Sequence, residues 1–125
     1  MKRRPMSAPD IDEVDGPRSE LPRSWQLLSE QHPELVAAYD VLSDVCRHAG
    51  PLDERTVALV KLAISVGHGI ERTVHSHTKK AIRAGFPPAA LRQVVLTALP
   101  TVGLPAALDA LRWVQTSIDE TRGGH

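Results

Sequence analysis

The segment Glu54–Gly67, ERTVALVKLAISVG, restricts the possible folds more than any other stretch of the chain. After Arg55 it is apolar nearly all round at a helical period, with Lys61 as its only charge. A helix of that pattern has to be covered on most of its sides. The helical body that can surround it is about 100 residues long, the size of one small domain. So few residues hardly enclose one of their own helices, and the pattern therefore predicts that contacts between subunits complete the covering.

The rest of the chain supplies the partners for such a core. From Leu21 onward apolar residues recur at helical spacing, and no segment keeps a strand alternation. Ser24 is placed to cap a short first helix carrying Trp25, Leu27 and Leu28. Pro33 suits the first turn of a second helix, where its missing N–H costs nothing. In that helix Leu35, Tyr39, Leu42 and Cys46 fall on one stripe, so Cys46 is expected as a small core residue. Gly50-Pro51 ends it, and Asp53 is placed to cap the third helix, about 53–67. Gly67 and Gly69 are expected to break or bend the chain around His68. A fourth helix covers about 70–84 and stops at Gly85. Phe86-Pro87-Pro88 opens a fifth through Leu99, which Pro100 ends. Gly103-Leu-Pro105 starts a sixth, running to about Ile118. The fold expected is all-α, with five or six helices over 23–120.

Residues 1–22 are proline-rich and charged, with scattered apolar positions, and are expected to be a flexible tail. The end, Arg122-Gly-Gly-His125, is expected to fray. Lys and Arg total 15 against 15 Asp and Glu, a balance that argues against a nucleic-acid-binding module. A single cysteine, Cys46, excludes an intramolecular disulfide and a cysteine-based zinc cluster. No apolar run reaches the roughly 20 residues needed to span a bilayer, and no apolar stretch follows MKRR as in a secretory signal. The default expectation is a soluble cytoplasmic protein that does not engage a membrane.

Chemistry concentrates on the fourth helix. At about 100° per residue, Ile70, Val74, His77, Ala81 and Ala84 share one face. Glu71, His75, Thr78 and Ile82 form the neighbouring face, and Arg72, Ser76, Lys79, Lys80 and Arg83 a basic outer one. His77 on an apolar face is either a satisfied core residue or a tuned general acid/base. Glu71 and His75, four apart, can meet as a carboxylate that orients an imidazole. His68, Glu71 and His75 also continue roughly one helical line, so a metal held by these three is an alternative. That spacing is not an established ligand signature, and no metal or other cofactor is expected. His77 lies about 160° from His75 around the helix, too far to share one ion. There is no glycine-rich phosphate loop, no G-x-S-x-G and no H-E-x-x-H.

LDERTVALVKLAISVG, then HSHTKKAIRAG, a following amphipathic helix and VGLPAALDAL together resemble the carboxymuconolactone decarboxylase family, whose wider group includes the alkylhydroperoxidase-D proteins. The likeness is strong over about half of the chain, and its most specific pieces are His77, Ala81, Gly85 and Gly103-x-Pro105-Ala-Ala. It implies an all-helical homo-oligomer, a trimer or a hexamer, with sites near subunit contacts. The peroxidase branch has a C-x-x-C pair ahead of the family histidine, and those two positions are Ile70 and Thr73 here. Its glutamate on the preceding helix is replaced by Ala58. Thiol peroxidase (peroxiredoxin-type) chemistry needs a thiolate and a resolving partner, and this chain supplies neither. The lactone decarboxylase branch works without those cysteines. By that resemblance the acid/base set is His77, Glu71 and His75, Arg72 is a weak candidate for substrate binding, and the substrate is a small carboxylated lactone or related acid. A catalytically silent oligomer that kept the fold is the alternative of a different class.

Overall fold

A computed structural model describes residues 23–123. The expected tail over 1–22 and the last residues of the C-terminal end lie outside that range. Among the described residues there are six helices and no strand. These are α1 (Arg23–Gln31), α2 (Pro33–Arg47), α3 (Glu54–His68), α4 (Glu71–Arg83), α5 (Pro88–Val102) and α6 (Leu104–Arg122). They fall into two compact units that divide between Leu52 and Asp53.

The first unit is a helical hairpin of α1 and α2. Trp25 and Tyr39 meet edge to face, with ring centroids 6.1 Å apart, the arrangement favoured by aromatic quadrupoles. Pro33 stands in the first turn of α2, as its fixed φ predicts. The buried stripe of α2 differs from the expected one. Val36 and Asp40 are buried, whereas Leu35, Tyr39 and Leu42 are exposed. Cys46 is exposed as well, which corrects its expected place in the core. The physical reason is that α2 is apolar on more than one side. Val36, Tyr39, Val41, Leu42 and Val45 define competing stripes of the same period, and periodicity alone does not choose between them. Ser24 lies inside α1 rather than at its cap.

The second unit is a four-helix core. α3 and α6 each pack on both α4 and α5. Leu62, Val74, Leu91, Val95, Val114 and Ile118 are fully buried at its centre. Asp53 caps α3 by accepting the Thr56 backbone N–H at 2.7 Å. α3 continues through Gly67 and His68, and only Gly69 takes the left-handed conformation, φ 79°, that stops it. Inside a helix Gly67 has ordinary helical freedom, so the break expected there does not occur.

The stop of α4 is a full Schellman arrangement. Gly85 at φ 99° donates to Ile82 O at 2.9 Å, and Phe86 N–H reaches Ala81 O at 3.1 Å. Arg55, from the first turn of α3, completes this corner. Its Nε donates to Ala84 O at 2.9 Å and its Nη2 to Gly85 O at 3.3 Å, while the guanidinium lies 4.0 Å from the centroid of the Phe86 ring. Pro100 does not end α5, which runs on to Val102. A proline removes one N–H and crowds the preceding turn, but it stands in the last turn, and the chain turns only at Gly103, φ 94°.

Candidate functional site

The side of α4 turned into the core carries Val74, Thr78 and Ala81, all buried. Thr78 satisfies its hydroxyl locally by donating to Val74 O at 2.7 Å. This axis places the two histidines on opposite flanks, both half-buried. Glu71 stands in the first turn of α4, where a carboxylate is favoured by the helix dipole.

One turn later, His75 Nε2 lies 3.2 Å from Glu71 Oε2. A carboxylate only accepts, so Nε2 carries the hydrogen of this bond. The opposite ring nitrogen, Nδ1, is 2.6 Å from Ser117 Oγ on α6. Ser117 is fully buried, at 0% exposure, while the His75 side chain is 24% exposed and that of Glu71 60%. The three residues thus form a line from the core to the surface, hydroxyl, imidazole, carboxylate, with the imidazole pinned at both nitrogens. Ser117 is too deeply buried to attack a substrate and so is not a nucleophile. Lys79 and Glu120, 3.3 Å apart, join α4 to α6 one turn further along.

Of the residues singled out in the sequence, Glu71 and His75 meet in a hydrogen bond. His77 lies on the other flank of α4 with its Nδ1 shielded from solvent. Arg72 is exposed on the same helix. His68 is exposed at the end of α3. Among the described residues no three His, Cys, Asp or Glu side chains gather as metal ligands would. The line His68, Glu71, His75 therefore does not form a metal-holding group, because the left-handed turn at Gly69 separates His68 from the axis of α4. At the two positions where the peroxidase branch holds thiols, Thr73 Oγ1 donates to Ile70 O at 2.9 Å, a contact within the first turn of the helix.

Sequence reasoning missed Ser117. Its signal was a small polar residue on the apolar face of α6, beside Ala110, Val114 and Ile118, which hydrophobic patterning alone reads as neutral filler.

The profile of the carboxymuconolactone decarboxylase family matches residues 33–116, about two thirds of the chain. The chain belongs to the carboxymuconolactone decarboxylase family. The all-α architecture agrees with that membership. No curated protein and no solved structure matches the chain. The family match takes in His75, His77, Glu71 and Arg72 and stops one residue before Ser117. Among the described residues no helix is long and apolar enough to cross a membrane.

Proposed function

We propose that this carboxymuconolactone decarboxylase family member is a non-thiol lyase that acts by acid/base chemistry on a small carboxylated lactone or related acid. The observation that carries the reading is the Glu71–His75 hydrogen bond, held from behind by a buried hydroxyl. Loss of carbon dioxide from such an acid breaks the carbon–carboxylate bond and leaves its electron pair in a dienolate conjugated with the lactone. The reaction is completed by a proton delivered to carbon. An imidazolium oriented by a carboxylate is suited to that delivery, and the solvent-facing side of the Glu71–His75 pair is where a substrate reaches it. Arg72, one residue on, is the cation in this reading that holds the substrate carboxylate.

His77, the residue matching the family histidine, belongs to the same proposal but not to the same flank of the helix. About 160° separates it from His75, so a site that uses both takes one histidine from each of two subunits. We therefore also propose a homo-oligomer, a trimer or a hexamer. Val60 and Ile64 on α3 are exposed in the single chain, Ile64 at 64%, and an apolar helix face of this kind is what a neighbouring copy would cover.

The test is turnover of 4-carboxymuconolactone and related lactones, followed by carbon dioxide release. His75→Gln and His77→Gln are each expected to lower the rate by about 10²–10⁴-fold, the usual worth of general acid/base help, with folding and assembly retained. Unchanged turnover in both variants would sink the acid/base reading. No turnover of any lactone by the wild-type chain would favour the catalytically silent oligomer.

A further inference from the structure

The hydroxyl of Ser117 does more than fill space, and its position relative to His75 has a chemical consequence. Glu71 fixes the hydrogen on Nε2, so in the neutral imidazole Nδ1 is a bare acceptor. A serine hydroxyl is both donor and acceptor and rotates about one bond. When His75 is neutral, the Ser117 O–H points at Nδ1. When His75 takes a proton there, the hydroxyl turns and accepts from the new N–H. The 2.6 Å separation is a short contact, within hydrogen-bond reach whichever of the two atoms carries the hydrogen. The rotation occurs in a fully buried setting, where water does not substitute for either bond.

We propose that Ser117 is a positioning residue that holds the His75 ring in one orientation and one tautomer while letting it gain and lose a proton at Nδ1 without losing a hydrogen bond. For its catalytic consequence this rests on the acid/base reading above; for its effect on the imidazole it does not. Charged groups on the two helices that meet at the ring include Glu71 and Arg72 on its own helix and the Lys79–Glu120 pair bridging to α6. α3 buries Leu62, Ser65 and Val66, with Lys61 half-buried at the margin. α5 buries Leu91 and Val95, and its Arg92 is tied to Gln115 at 2.9 Å. None of the fully buried residues on these faces titrates, and the buried group hydrogen-bonded to the ring is the Ser117 hydroxyl.

The sign of the effect follows from which state loses more. With Ser117→Ala, neutral His75 is left with a bare acceptor, whereas protonated His75 is left with a charged donor facing a methyl group. Hydrogen bonds to charged groups are worth roughly twice those to neutral ones. The variant is therefore expected to bind the His75 proton about three- to tenfold more weakly, read as the midpoint of the His75 ring resonances in an NMR titration of the full chain. Ser117→Thr, which keeps the hydroxyl, is expected to restore most of that affinity.

An unchanged or tightened proton affinity in folded Ser117→Ala would overturn the proposal, as would a loss that folded Ser117→Thr fails to recover. The wild-type chain gives a test that needs no variant. At high pH the ¹⁵N shifts should report the Nε2–H tautomer, and an Nδ1–H tautomer would overturn the assignment. Once a substrate is in hand, Ser117→Ala should move the pH profile of kcat/KM by the same interval as the titration. A profile that stays in place while the titration moves would count against the acid/base reading and leave the Ser117–His75 coupling standing.

Discussion

At the scale of single residues, the corner formed by Arg55, Gly85 and Phe86 shows how one long side chain serves a distant helix end. The last carbonyls of a helix lack internal partners and carry the negative end of its dipole. Arg55 donates to Ala84 O at the C-cap of α4 and to Gly85 O just beyond it, and stacks on Phe86. A lysine keeps the charge but not the planar fork. Arg55→Lys is therefore expected to destabilise the fold by about 1–2 kcal/mol, the worth of one charge-assisted hydrogen bond and part of a cation–π contact, measured by urea denaturation. An unchanged midpoint would show that the corner is held by Gly85 alone. A second residue-scale expectation concerns Ile70 and Thr73. Since neither can form a thiolate and Cys46 lies on α2, the protein should not reduce cumene hydroperoxide with a dithiol donor. Dithiol-dependent reduction that survives Cys46→Ala would contradict this.

At the scale of elements, the start of α3 depends on a carboxylate. The backbone N–H of Thr56, and secondarily its side chain, hold the Asp53 carboxyl below its ordinary value. A lowered carboxyl pKa stabilises the folded chain above the unfolded value, and that contribution fades as pH falls through the folded one. Asp53→Ala is thus expected to lower the thermal midpoint at neutral pH, and the gap to wild type should close as the pH drops below the ordinary carboxylate range. A gap that persists at pH 2 would mean that the alanine acts through something other than the cap. The same element shows which parts of the sequence were legible. Asp53 is a local signal, since the cap and its acceptor lie three residues apart. Gly69 and Gly85 are local too, each ending a helix at positive φ. The inward stripe of α2 was not legible, because several apolar stripes with one period competed and only packing selected Val36 and Asp40.

At the scale of the whole molecule, α3 combines a buried side, Leu62, Ser65 and Val66, with an exposed apolar one, Val60 and Ile64. Burying a valine or isoleucine side chain is worth about 1.5–3 kcal/mol, so a second copy gains appreciably by covering that surface. The proposed homo-oligomer is expected to appear in light scattering at micromolar concentration. Val60→Lys with Ile64→Lys should reduce the particle to a monomer while the helical circular dichroism is kept. A wild-type chain that scatters as a stable monomer would end the proposal.

The sequence by itself determined that this protein is helical, where most of its helices begin and stop, and that Glu71 and His75 can meet. Each of those facts rests on interactions between residues at most four or five positions apart, through the 3.6-residue period, the capping bonds and the glycine turns. Tertiary structure decided the rest. It turned Cys46 outward, carried Arg55 to a helix end about thirty residues away, and set Ser117 behind His75 across two packed helices. Those contacts depend on how helices rotate and slide against one another while filling a common core. That choice is made by the summed packing of many side chains, and no local pattern in the chain records it.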